Sequence, residues 1–201
     1  GGDERGGRDE RGRRDERGRA EGGGGEREER GQCLGPTDDG SSRPLDITSA
    51  FPDGLNFFGT TYRELFLNTN GNITFNATVR AYTPRPFPVA AQPMIAPYWA
   101  DVDTRGTACV GSCVGDCLAS CANPADNAVW YDLSPGRAVF TWDNVGYYSC
   151  SDDRRMSFQL ILTSAPGCGT GMSESDFSVE MRFNRCEWET GDASGGSGGF
   201  G

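Results

Sequence analysis

Four cysteines recur at every fourth residue in the segment CVGSCVGDCLASC, at Cys109, Cys113, Cys117 and Cys121. Four thiolates can bind zinc or an iron–sulfur cluster, but zinc sites commonly pair closely spaced cysteines on two separated loops. The whole chain holds eight cysteines, and an even number in a short chain is typical of disulfides formed in an oxidising compartment. We therefore expect disulfides, in a pairing that the spacing leaves open, at Cys33, Cys109, Cys113, Cys117, Cys121, Cys150, Cys168 and Cys186.

Two aspartates offer a second kind of chemistry. Asp101 and Asp103 are separated by one residue, so on a strand both carboxylates would point to one face. Together with Asp143 or backbone carbonyls, they would supply the oxygen ligands that calcium prefers. The alternative is a charged turn at the end of a strand. We therefore expect no cofactor, with calcium at Asp101 and Asp103 as the exception that these residues allow.

Catalysis has few candidate residues. The chain contains no histidine, and its 19 basic residues are all arginine, so Ser-His-Asp and Ser-Lys chemistry are excluded within it. Glu187 and Glu189 flank Trp188 and could act as the carboxylate pair of a glycosidase. Nearby glutamates on a solvated strand face are the simpler interpretation. We expect no catalytic residues and no enzyme, and an extracellular carbohydrate-processing hydrolase is the alternative.

Net charge and hydropathy exclude two classes of binding partner. The formal net charge is −10, and nucleic-acid binding needs a basic surface that can neutralise phosphates. No apolar run approaches the roughly 18 residues needed to cross a bilayer. The sequence therefore predicts neither nucleic-acid binding nor membrane insertion.

The chemistry-bearing residues lie among short predicted strands. Asn70-Gly71 separates two apolar runs and predicts a hairpin, as does Ser134-Pro-Gly136. Apolar residues alternate with polar ones from Met156 to Leu162 and from Phe177 to Phe183, a period of two that predicts strands with one face on a core. No segment has a helical period. We predict an all-β fold, an antiparallel β-sandwich-like single domain.

The first 32 residues differ from the rest. They repeat Asp-Glu-Arg-Gly, then run through four consecutive glycines, and Ala20 is the one apolar residue before Gln32. Such a segment cannot bury enough apolar surface to offset its chain entropy. We predict a low-complexity, disordered Asp/Glu/Arg/Gly-rich tail over residues 1–32 and a β domain over residues 33–201.

Several motifs follow one another in an order that resembles a known family. They are residues 67–75 (LNTNGNITF), 93–106 (PMIAPYWADVDTRG), 127–131 (NAVWY), 139–147 (VFTWDNVGY), 157–163 (SFQLILT), 176–183 (DFSVEMRF) and 187–196 (EWETGDASGG). This series looks like the NIDO domain, an extracellular module of nidogen, tectorin and related adhesion proteins. The resemblance covers roughly residues 50–201. The cysteine-rich segment departs from it, because family members usually have a short loop there, and the C-terminal end looks truncated relative to the family pattern.

The resemblance implies a function. It suggests a non-enzymatic extracellular interaction module, secreted or at the cell surface, that contributes to cell–matrix or cell-surface adhesion. The implied partner is a macromolecule of the extracellular matrix or cell surface. The family offers no catalytic residues to transfer, and neither the sequence nor the resemblance identifies ligand-binding residues.

Overall fold

The computed structural model describes residues 31–86, 92–110, 118–119, 127–165 and 173–196. These residues form strands and no helix, so they contain no helix that could cross a membrane. The strands are β1 (Gln32–Leu34), β2 (Leu45–Asp46), β3 (Leu55–Phe57), β4 (Thr60–Tyr62), β5 (Glu64–Asn68), β6 (Asn72–Thr74), β7 (Met94–Ile95), β8 (Val102–Asp103), β9 (Leu118–Ala119), β10 (Ala128–Ser134), β11 (Arg137–Tyr147), β12 (Ser151–Ser164) and β13 (Phe177–Cys186). The predicted tail lies outside the described residues except for its last two.

The larger sheet is antiparallel and has the order β13-β12-β11-β10-β1-β9, with β8 pairing the far end of β11. Four of its strands, β10 to β13, follow one another along the chain. The predicted turn at Ser134-Pro-Gly136 joins β10 to β11, and Gly136 has the positive φ of 75° that such a tight turn favours. This hairpin prediction is confirmed.

A smaller antiparallel sheet, β2-β5-β6-β7, supplies the second layer, and β3 and β4 form a separate hairpin. The Asn-Gly prediction is confirmed, since β5 and β6 pair with Asn68 opposite Asn72. Gly71 has a φ of 78°, and a Cβ on this residue would collide with the backbone carbonyl of Tyr98. Only glycine fits this turn, because it alone avoids that collision at a positive φ.

One hydrophobic core joins the two sheets. Its centre is Trp142, which stacks on Phe158 with ring centroids 4.8 Å apart and donates its indole N–H to the carbonyl of Thr69 at 2.8 Å. Trp188 is also buried and packs against Tyr98 and Tyr147. The all-β, sandwich-like prediction is therefore confirmed.

The environment of strand β13 differs from the one that the sequence predicts. Its alternating apolar residues were expected to face the core, but Val179, Met181 and Phe183 are 43–50% exposed. The reason is position, because β13 is the edge of the larger sheet within the described residues and has a neighbouring strand on one side only. It contacts the core through Phe177, which is partly buried, and through Phe183, whose ring centroid lies 6.2 Å from that of Phe158.

Candidate functional site

The two aspartates singled out in the sequence have separate surroundings. Asp103 lies on β8 with a fully buried side chain, and the guanidinium of Arg105 binds both of its carboxylate oxygens, at 2.9 and 2.6 Å. The backbone N–H of Cys150 donates to the same carboxylate at 2.8 Å. Asp103 is thus satisfied by an arginine and by backbone donors.

Asp101 instead belongs to a cluster of acids. One carboxylate oxygen from each of Asp38, Asp39 and Asp101 lies within 4.8 Å of the other two. Asp101 immediately precedes β8 and therefore lies outside that strand, and the carboxylates close enough to share an ion with it are those of Asp38 and Asp39. Asp143 lies on β11, where its carboxylate accepts a hydrogen bond from the side chain of Asn144. We call Asp38, Asp39 and Asp101 the acidic cluster.

Neighbouring backbone bonds bring the acidic cluster together. The loop after β1 carries Asp38 and Asp39, and Thr37 and Thr104 exchange backbone and hydroxyl hydrogen bonds of 2.8–2.9 Å that hold this loop beside β8. Asp38 and Asp39 are not among the site residues that the sequence predicts. Their one signal was two adjacent acids before Gly40, a pattern also common in ordinary turns.

The Asn-rich turn between β5 and β6 holds the acidic cluster in position through hydrogen bonds of Asn70. Asn70 donates from its amide to Asp39 at 2.7 Å and accepts the backbone N–H of Val102 at 3.0 Å. Asn68 and Asn72 are fully buried and hydrogen-bonded to each other at 2.8 Å, and the amide of Asn72 donates to the carbonyl of Asn70. This buried polar network fixes Asn70, which in turn fixes Asp39.

The electrostatics of the acidic cluster are unfavourable for negative charge. The pKa of Asp101 is raised to about 7, mainly by burial and then by the neighbouring carboxylates of Asp39 and Asp38. Burial likewise raises the pKa of Asp38 to about 6, with Asp103 adding to the effect and Arg105 opposing it. Arg105 is bonded to both Asp38 and Asp103, so one guanidinium serves two carboxylates.

A cleft opens onto the acidic cluster. It has a volume of about 330 Å³ and is lined by Asp39, Tyr82, Asp101, Tyr148, Ala193 and Ser194. The two tyrosines are about half exposed at its rim. Solvent and small ions can therefore reach the cluster from one side, while the strands close the other.

Four of the eight cysteines lie among the residues that the structure describes. Cys109 and Cys150 form a disulfide with Cα atoms 5.4 Å apart, which closes a chain separation of 41 residues beside Asp103, and Cys33 is also disulfide-bonded. The disulfide prediction is confirmed for the Cys109–Cys150 pair. Cys186 is exposed and unbonded in the structure, contrary to the expectation of a disulfide at that position. The expected disulfides at Cys113, Cys117, Cys121 and Cys168 lie outside the described residues.

The glutamates of the hydrolase alternative do not resemble an acid and a base. Glu187 binds the guanidinium of Arg185 at 2.8 Å and accepts the backbone N–H of Arg155 at 3.0 Å. Both contacts hold its pKa below the usual range, with the Arg185 bond the larger cause. A general acid needs a raised pKa instead. Glu189 is exposed, and the buried Trp188 separates the two glutamates along the chain.

Comparison with known proteins decides the family. The model of the nidogen-like domain, NIDO, matches residues 63–199. The chain belongs to the NIDO family. This confirms the resemblance seen in the sequence motifs. The NIDO match begins after the loop that carries Asp38 and Asp39, so two members of the acidic cluster lie outside it.

The relatives of this NIDO domain are much longer proteins. It is 32% identical to mouse alpha-tectorin and 31% identical to human alpha-tectorin, each over 79% of this chain and 7% of the relative. It is also 34% identical to the nidogen of Drosophila melanogaster, over 54% of this chain and 9% of the relative. No solved structure gives a significant match. Alpha-tectorin and nidogen are extracellular matrix proteins, and this NIDO domain is extracellular.

Proposed function

We propose that this NIDO domain is a non-enzymatic interaction module that attaches to a protein of the extracellular matrix through the edge strand β13. The extracellular matrix relatives support a module of this kind. The choice of surface depends on one observation, the exposed apolar side chains on β13, the edge strand of the larger sheet within the described residues. The hydrolase alternative loses support because Glu187 is engaged in structural contacts and its pKa is lowered.

The edge strand has two features that suit an extended protein partner. Within the described residues, β13 pairs only with β12, so the backbone groups on its outer edge have no neighbouring strand. Its exposed apolar side chains, Val179, Met181 and Phe183, alternate along one face. An added strand would gain main-chain hydrogen bonds from the first feature and side-chain specificity from the second.

The opposite face of β13 is polar and close to neutral. Glu180 and Arg182 form an exposed ion pair there, with a nitrogen–oxygen distance of 2.7 Å. This face offers no excess charge to attract a charged polymer. The apolar face therefore favours an extended protein segment with alternating apolar side chains.

An arginine introduced on each face of β13 in turn tests whether the partner contacts the apolar face or the polar face. Met181→Arg should weaken binding of the isolated domain to decellularised matrix by at least about tenfold, because it places a charge in the apolar contact. The matched control Ser178→Arg adds the same charge to the polar face of the same strand and should leave binding within about twofold. Solid-phase binding measures both, with circular dichroism to check folding.

Three results would contradict this proposal. Equal loss of binding in both variants would indicate a general charge effect, and no loss in Met181→Arg would remove β13 from the interface. Self-association of the wild type that Met181→Arg abolishes, without matrix binding, would identify a second copy as the occupant. Parallel assays of glycan hydrolysis test the enzyme alternative. Hydrolysis by the wild type that disappears in Glu187→Gln or Glu189→Gln would favour the enzyme over the adhesion module.

A further inference from the structure

The acidic cluster contains carboxylate oxygens that the protein itself does not satisfy. Asp101 is 3% exposed, and its Oδ1 is buried without a hydrogen-bond partner among the described residues. Oδ1 of Asp38 is in the same condition, although its other oxygen binds Arg105. Buried charged oxygens are normally paired, so two such atoms in one cluster call for a missing partner.

The charges around the acidic cluster are unbalanced. Asp38, Asp39 and Asp101 lie beside Asp103, which gives four carboxylates, and Arg105 is bonded to two of them. A second guanidinium, that of Arg80, donates to the backbone carbonyl of Asp39 and not to a carboxylate. The cluster therefore retains an excess of negative charge on the side that faces the cleft.

We propose that Asp38, Asp39 and Asp101 bind a calcium ion, and that Asp103 orients the site through Arg105 without touching the ion. Calcium–oxygen distances are about 2.3–2.6 Å, so two ligands of one ion lie at most roughly 4.6–5.2 Å apart. The three carboxylate oxygens all lie within 4.8 Å of one another, which is close enough for one ion to contact all three. Water from the cleft supplies the remaining ligands.

The ligand set selects calcium over other common metals. All three side chains offer oxygen, whereas zinc prefers the sulfur and nitrogen ligands that this cluster lacks. Magnesium demands a compact octahedron and gives up its water reluctantly. A cluster with one buried and two half-buried carboxylates, open on its cleft side, suits the larger and less regular shell of calcium.

A shared proton is the competing explanation for the unpaired oxygens. Two carboxyl groups in close contact can share one proton, which removes the repulsion without a metal. The two explanations differ in one observable. Calcium binding makes stability depend on the calcium concentration at constant pH, whereas proton sharing makes it depend on pH alone.

Calcium titration of the oxidised chain, after treatment with EDTA, tests the proposal. At about 1 mM calcium we expect a rise of several degrees in the melting temperature and one bound ion per chain by calorimetry. Asp101→Asn should abolish the rise. Asp39→Asn should weaken calcium binding by about tenfold while keeping the side-chain oxygen that accepts from Asn70. This second variant keeps the test valid if Asp101→Asn fails to fold.

The control is Asp53→Asn, which removes an exposed acid that is not part of the acidic cluster and should bind calcium like the wild type. Magnesium at the same concentration should produce a much smaller rise. No calcium response in the wild type, an equal response to both ions, or an unchanged response in Asp39→Asn would overturn the proposal. Stabilisation by acid alone, with no calcium response, would establish the shared proton instead.

Discussion

Replacing Arg105 with methionine should lower the free energy of unfolding by about 3–5 kcal/mol, as expected when one partner of a buried ion pair is removed. The methionine keeps most of the side-chain volume, so the loss reports mainly on charge. Among the described residues, it leaves the fully buried carboxylate of Asp103 with the backbone N–H donors of residue 105 and Cys150, and it also removes the ion pair of Asp38. Urea denaturation of the oxidised chain in EDTA measures the change.

Two further variants identify the cause of this loss. The double variant Asp103→Asn/Arg105→Met should recover at least about 1–2 kcal/mol of the single Arg105→Met loss, because it also removes the stranded charge. Arg182→Met is the matched control, since it breaks the exposed pair with Glu180 and should cost less than about 1 kcal/mol. Equal losses at Arg105 and Arg182 would show that the buried pair contributes no more than a surface pair.

Trp142→Ala should destabilise the domain by about 3–5 kcal/mol. The indole is fully buried between the two sheets, so the substitution leaves a cavity against Phe158 and removes the donor to the Thr69 carbonyl. The Thr69 carbonyl belongs to the Asn-rich turn, so the loss also loosens the support of the acidic cluster. Thermal and urea unfolding both measure this change.

The control for Trp142 is Trp130→Ala on the adjacent strand β10. Trp130 is only partly buried, so the same deletion leaves no closed cavity and should cost about 1–2 kcal/mol at most. A further variant, Trp142→Phe, keeps an aromatic ring against Phe158 but lacks the N–H, and should cost about 1–3 kcal/mol. Similar losses for Trp142→Ala and Trp130→Ala would contradict the assignment of Trp142 to the centre of the core.

Local patterns in the sequence predicted local structure well. The Asn-Gly and Pro-Gly turns specify their hairpins because the required backbone angles belong to those residues themselves. The alternation of β13 correctly predicted a strand with one apolar face. It could not predict exposure, because the place of β13 at the edge of the sheet is set by the pairing of strands elsewhere in the chain.

The acidic cluster shows a different limit of sequence analysis. Asp101 and Asp103 are separated by one residue, yet Arg105 binds Asp103, whereas Asp101 lies close to Asp38 and Asp39. Asp38 and Asp39 reach Asp101 because β1 pairs with β10, which lies far along the sequence, and because Thr37 contacts Thr104. Neither contact leaves a local pattern, so the spacing of acids along the chain pointed to Asp103 and gave no sign of Asp38 and Asp39.

The buried network at the Asn-rich turn has a consequence for glycosylation. Asn72-Ile-Thr74 and Asn76-Ala-Thr78 both match the acceptor pattern Asn-X-Ser/Thr. Asn72 is fully buried with its amide nitrogen bonded to the carbonyl of Asn70, whereas Asn76 is exposed two residues after β6. Folded protein secreted from a glycosylating host should therefore carry its glycan at Asn76, and Asn76→Gln should remove it. Mass spectrometry that finds sugar on Asn72 of folded chains would contradict the burial of that turn.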